Sequence, residues 1–303
     1  FDLYSNPVPG QTVTLTVSPT TGNTVSTPAV TDASGKTTAT LKSTKAEVKT
    51  ISAKMGTTVI TQTASVEFKN LSVNETKSTV AISPIGNPVA DNVETRTITA
   101  TLRDINGNPV PNTEAFFHST GSNNTITPAS GTSDASGVVT ATIASTKAET
   151  KTISVVAEGL TIAQQPTVTF VAGAPNAANS DVVATSPVVA DNAATSTITV
   201  TVRDAFGNLV SGVKPVLSAT GSANTFVQPA TNTGADGVAV GTLKSSKAEL
   251  KTVTATVGTS PGVVIDQKPQ INFIPGQVSA TASTFTVNPA TGVVADGVTA
   301  SAI

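Results

Sequence analysis

Asp104-Ile105-Asn106-Gly107-Asn108 carries oxygen-bearing side chains at every second position. A calcium loop uses that spacing to gather ligands around an ion. Asp91 and Asp191, each followed by Asn, are further oxygen donors, and Asp204 heads a second copy of the loop. Two features weigh against an ion. The loop has no second carboxylate and no bidentate Glu, and Ala205 and Phe206 break the oxygen pattern after Asp204. Asp and Asn also build turns unaided, by bonding their own backbone. Turn formation is therefore the expected role of Asp91, Asp104, Asn106, Asn108, Asp191 and Asp204, with calcium as the alternative.

Catalytic chemistry has little to work with. His118 is the single histidine and there is no cysteine, so a Cys-His pair is excluded and a Ser-His-Asp set could occur only once. His118 reads as an ordinary strand residue, and the chain is not expected to be an enzyme or to bind a cofactor. The remaining charged motif is Lys-Ala-Glu-Xaa-Lys. It places Lys45, Glu47 and Lys49 on one side of an extended segment, and likewise Lys147, Glu149, Lys151 and Lys247, Glu249, Lys251. These are expected to be solvated, self-neutralising connections of small energetic worth. A sticky stripe repeated along the molecule is the alternative.

The elements that carry these residues follow from composition. Charged residues make up 12% of the chain, net charge is −2 and aromatics are 3%, without Trp. That leaves no basic patch for nucleic acid and few platforms for stacking a small-molecule substrate. Thr, Val, Ala and Ser dominate, which favours strands over helices. The absence of Cys suits a bacterial chain exported unfolded.

Self-similarity is the strongest signal. Ser-Thr-Lys-Ala-Glu-Val-Lys-Thr at 43–50 returns at 145–152 and at 245–252, offsets of 102 and 100 residues. That period is too long for a solenoid and fits one small domain with its own core. Within a repeat, Ile98, Ala100 and Leu102 alternate with Thr97, Thr99, Thr101 and Arg103, the mark of a half-buried antiparallel strand. Asn106-Gly107 is expected to supply positive backbone angles for a hairpin, and Asp134-Ala135-Ser136-Gly137 another turn. Val139, Ala141, Ile143, then Ile153, Val155, Ala157, then Val168 and Phe170 continue the alternation. Ile98, Leu102, Ile143, Ile153 and Phe170 are the expected core, with Phe68, Phe170 and Phe273 as equivalent anchors. About seven strands with turns every 8–12 residues is the rhythm of an immunoglobulin-like sandwich. The fold class is all-β: tandem immunoglobulin-like β-sandwich domains arranged as an extended rod. The expected domains are 1–73 (the back of one domain), 74–173 and 174–276 (both complete), and 277–303 (the front of another). Three such modules end to end span about 100 Å.

The motifs resemble the group-1 bacterial immunoglobulin-like domain of the intimin and invasin adhesins. The resemblance rests on Val-Ala-Asp-Asn at 89–92 and 189–192, Thr-Ile-Thr-Ala-Thr-Leu-Arg-Asp at 97–104, Thr-Ile-Thr-Val-Thr-Val-Arg-Asp at 197–204, Gly-Asn-Pro-Val at 107–110 and the Ser-Thr-Lys-Ala segments. It covers essentially the whole chain. It implies an extracellular stalk on a bacterial surface, outer-membrane anchored in the full-length protein, that spaces a distal binding domain from the membrane. The implied partners are neighbouring immunoglobulin-like domains and, through a tip absent here, a host or cell-surface receptor. The Gly that follows Lys-Ala in the family is Glu47, Glu149 and Glu249 here, a departure expected to alter a turn only. The ends suggest an alternative. Residues 295–303 align with 190–198 and Phe1-Asp2 with Arg203-Asp204, so split end domains of adjacent chains could complete each other in a self-assembling filament.

Overall fold

The computed structural model describes residues 1–259 and 261–303, and these contain strands, turns and no helix. They form two compact units, Phe1–Val171 and Ala172–Ile303.

In the first unit, residues 74–171 build a two-layered sandwich. One sheet runs in the order Asn124–Thr127, Val138–Ser145, Arg96–Thr101, Thr79–Ser83. The other runs Ser130–Thr132, Glu114–Ser119, Thr150–Ala157, Leu160–Thr161, with Thr167–Thr169 also pairing to Thr150–Ala157. Register follows side-chain phase: Ala141 faces Ile98 and Val155 faces Phe117, so inward residues stack on inward neighbours. Ile98, Leu102, Ile143 and Ile153 are completely buried and Phe170 is 1% exposed. They fill the space between the sheets, as the alternation of the chain requires.

The second unit repeats this sandwich between Asp181 and Ile274, with Ile198, Leu243, Val253 and Phe273 in the centre. Its short strand Val188–Val189 pairs parallel to the last strand, Gln270–Ile274. Residues 277–303 form no strand, and one bridge joins Asn288 to Ala302. Strands need paired neighbours and a covered face to persist, and this segment has neither.

The first module, before residue 70, carries one four-stranded sheet (Val13–Ser18, Val48–Met55, Thr58–Val59, Ala64–Glu67) and a two-stranded ribbon of Asn23–Val25 with Leu41–Ser43. Part of the sheet's apolar face stays open as a groove of about 440 Å³ lined by Val13, Leu15, Ala53, Met55 and Ile60. Phe68 is only half-buried, unlike Phe170 and Phe273. It is not the fully buried core anchor that its position in the repeat suggests.

The turn at Asn106-Gly107 also differs from expectation. Only Gly107 takes a positive φ, +82°, and the hairpin is closed by a bridge between Arg103 and Pro109. The Asp104 side chain closes the turn from within by accepting the amides of Asn106 and Asn108.

Candidate functional site

The second lysine of each Lys-Ala-Glu-Xaa-Lys segment is buried. Lys49, Lys151 and Lys251 have no exposed surface at all. This corrects the expectation of a solvated connection, and the cause is strand phase. Lys151 opens the inward series continued by Ile153, Val155 and Ala157, so its side chain must enter the sandwich. Lys251 precedes Val253, Ala255 and Val257 in the same way. The first lysines of the segments, Lys45, Lys147 and Lys247, keep contact with solvent.

A buried ammonium needs acceptors, and each module supplies a glutamate and at least one backbone carbonyl. Lys151 Nζ donates to Glu149 Oε1 and to the carbonyl of Ser122, both at 2.8 Å. Lys251 Nζ donates to Glu249 Oε1 at 2.6 Å and to Ser222 O at 2.7 Å. Lys49 Nζ pairs with Glu47 and donates to Thr21 O at 2.8 Å and Pro19 O at 3.0 Å. The rings of Phe170 and Phe273 lie 6.0 and 5.8 Å from the ammonium groups of Lys151 and Lys251, within cation–π reach. The glutamate also accepts from the loop: Ser122 N reaches Glu149 Oε1 at 2.7 Å, and Ser222 N reaches Glu249 Oε1 at 2.8 Å. The hydrogen bond from Lys251, then those from Ser222 N and Lys247, hold Glu249 at about 2 against an ordinary 4.5. Lys151, followed by Ser122 N, lowers Glu149 in the same direction. Glycine is required at the close approach. With φ at +77°, a Cβ on Gly121 would sit 2.2 Å from Glu149 Oε1. Glu47, Glu149 and Glu249, the residues that depart from the family pattern, are thus counter-ions of the buried lysines rather than parts of a turn alone.

The Asp104 loop is a second device. Asp104 Oδ1 accepts the amides of Asn106 and Asn108, both at 2.9 Å. Its Oδ2 accepts Leu71 N at 3.1 Å and Asn108 Nδ2 at 2.8 Å. Burial raises its pKa, but these bonds, led by the Asn108 side chain, outweigh it and leave the carboxyl below its ordinary value. Asp204 is treated alike: Phe206 N and Asn208 N bind Oδ1 at 2.9 Å, and Gly173 N and Asn208 Nδ2 bind Oδ2, also at 2.9 Å. Asp2 repeats the core of it with Tyr4 N, Asn6 N and Asn6 Nδ2. The recurring pair is thus Asp and Asn four apart, not oxygens two apart. The N–H groups aimed at both oxygens of Asp104 and Asp204 present positive ends, a poor fit for a cation. Asn106 is exposed and offers only its backbone amide to the loop. Asp91 and Asp191 each cap a separate turn, accepting the amides of Val93 and Glu94 or of Ala193 and Ala194. They are not brought to the Asp104 or Asp204 loops, and no cluster of three or more metal-binding His, Cys, Asp or Glu side chains exists among the described residues. His118 lies exposed on the outer face of Glu114–Ser119, opposite Ser154.

Within the first unit the Asp104 loop reaches the preceding module. Asn108 Nδ2 donates to Thr44 O at 2.9 Å, and its Oδ1 accepts Ala46 N at 3.2 Å. A groove of about 340 Å³ opens beside this joint, lined by Ala46, Glu47, Phe68, Asn70, Pro109 and Ala135 among others.

Repeated sandwiches, each with an Asp-loop at one end and a Lys-Ala-Glu corner, match one family model. It describes a bacterial Ig-like domain of group 1 and matches three times, at residues 1–69, 77–171 and 179–274. The chain belongs to this family. Solved structures with the same fold include the Escherichia coli adhesin FdeC, at 23% identity, covering 89% of this chain and 88% of that one, TM-score 0.55. Invasin, a bacterial integrin-binding protein, is 24% identical over 91% of this chain and 55% of its own, TM-score 0.55. InvD of Yersinia pseudotuberculosis is 26% identical over 71% of this chain and 62% of its own, TM-score 0.52. This chain of tandem group-1 modules therefore shares its all-β fold with those structures.

Proposed function

We propose that the chain is a structural stalk segment of a bacterial cell-surface adhesin, spacing a distal binding domain from the outer membrane. Its role is to hold distance, and its immediate partners are the neighbouring modules. The observation that carries this reading is the joint in the first unit, where Asp104 and Asn108 of one module bind the backbone of the linker and of the module before it. Direct ties of this kind suit a spacer, because they restrict the bending that a free linker would allow. Membership of the group-1 family and the likeness to FdeC, an adhesin, support the surface setting.

Small-angle scattering on residues 1–303 tests it. Three modules end to end, about 100 Å long, give a radius of gyration near 30 Å. A compact chain of this length would give about 19 Å. The compact value, or a profile of freely jointed modules, would overturn the spacer reading.

A further inference from the structure

The two devices described above meet at one place. The corner Ser43-Thr44-Lys45-Ala46 carries the backbone groups that Asn108 binds, and it runs straight into Glu47 and Lys49. It is held from behind at each step. Thr44 N bonds Gly22 O at 3.0 Å, Lys45 N bonds Ser43 Oγ at 3.0 Å, and Phe68 N bonds Glu47 O at 3.1 Å. The Lys49 ammonium then ties Glu47 to the carbonyls of Pro19 and Thr21. The corner so fixed presents Thr44 O and Ala46 N, one acceptor and one donor, two residues apart. A primary amide is complementary to that pair. Asn108 is itself oriented: its two Nδ2 hydrogens go to Thr44 O and Asp104 Oδ2, which leaves Oδ1 facing Ala46 N.

We infer that the Thr44–Ala46 corner is the docking surface for the Asp104–Asn108 loop of the following module, and that the buried Lys49–Glu47 pair is the positioning element that keeps this surface in shape. The ion pair then has two consequences. It closes the pole of its own module, and it sets the stiffness of the joint to the next. The groove opens beside the hydrogen bonds of this joint. The partner this surface fits is an Asp-x-x-x-Asn loop with a free primary amide. The inference rests on the spacer reading but has its own test.

The absence of Cys allows clean spin labelling. Cysteines placed at the exposed strand positions Lys54 and Thr140 put one label on each module of the first unit. Pulsed electron resonance on the full chain then reads the spread of distances across the joint. Asn108→Ala is expected to broaden the wild-type distribution about twofold, and Lys49→Met to do the same, because local restraints govern such sub-global motion. Lys151→Met, the same change in the second module, leaves the spread unchanged. Should Lys49→Met unfold the first module, Glu47→Gln keeps the side chain's size and broadens the distribution in the same direction. Lys49→Met or Glu47→Gln that lowers the melting temperature of the first module without changing the spread would overturn the inference, reducing the pair to a stabiliser of its own module. That result leaves the spacer reading intact. A compact radius of gyration in wild-type scattering removes the spacer reading independently of these variants.

Discussion

Lys151→Met isolates what the buried ammonium contributes. Methionine keeps most of the aliphatic stem beside Phe170 and removes the charge. The variant strips a donor from Ser122 O and from Glu149 Oε1, each 2.8 Å away. Both acceptors stay in place, so this is the removal of one partner and not the exchange of a pair for matched apolar groups. An acceptor left unpaired costs about 1–3 kcal/mol. Two features pull the figure down. The Glu149 side chain is 31% exposed and can be hydrated, and a Met–aromatic contact replaces part of the lost cation–π attraction. The net loss is about 1–2 kcal/mol, which in a module of this size lowers the melting temperature by about 5–15 °C. Lys151→Ala adds a cavity and raises the loss to about 3–5 kcal/mol. Scanning calorimetry of the full chain reads this against an internal standard, since the third module keeps Lys251. If Lys151→Met melts at or above the wild-type temperature, the ammonium's desolvation cost equals its gains and the pair is no lock.

Three further outcomes follow from the same geometry. Glu249 has a depressed folded pKa, so its contribution is complete above its ordinary 4.5 and is lost as pH falls toward about 2. The third module should lose stability across that window, and Glu249→Gln should flatten the loss in acid titrations followed by circular dichroism. Gly137→Ala should destabilise more than Gly121→Ala in chemical denaturation. Both glycines have φ of +77°, but the new Cβ at 137 meets the Leu102 carbonyl at 2.4 Å, a backbone atom that cannot swing aside, while at 121 it meets a movable carboxylate. Phe170→Ala should cost about 3–5 kcal/mol by the same assay, and Phe68→Ala well under half of that, because Phe68 is half-buried; equal losses would contradict that difference in burial.

Periodicity made the sandwich legible. Ile98, Leu102, Ile143 and Ile153 were marked as core by alternation alone, because a strand between sheet and solvent enforces a period of two. The ion pair was not legible by the same reasoning, since Lys next to Glu reads as surface. Yet the signal was present: Lys151 is in phase with Ile153 and Val155, and Lys251 with Val253 and Ala255. Phase along the strand outranked charge. The Asp loop was legible as a turn, though not through its spacing of two. Oxygens at 104, 106 and 108 suggest an ion, whereas the pattern that survives in every copy is Asp followed four residues later by Asn. What Asn108 touches lies more than 60 residues earlier in the chain, beyond the reach of any local pattern.

The parallel pairing of Val188–Val189 with Gln270–Ile274 bears on how a module responds to pulling. After its first strand, Asp181–Ala184, which pairs in the other sheet, the chain comes to lie beside the strand through which it leaves, and the two run in the same direction. When the termini are drawn apart, these segments slide past one another lengthwise. Their hydrogen bonds are then loaded together in shear, where an antiparallel hairpin would open one rung at a time. The bonds from Ala90 N to Val171 O and from Val171 N to Pro88 O place the same arrangement in the second module. Each sandwich in which this closure is formed therefore carries, beyond its first strand, a set of contacts that resists stretching collectively before the core is exposed.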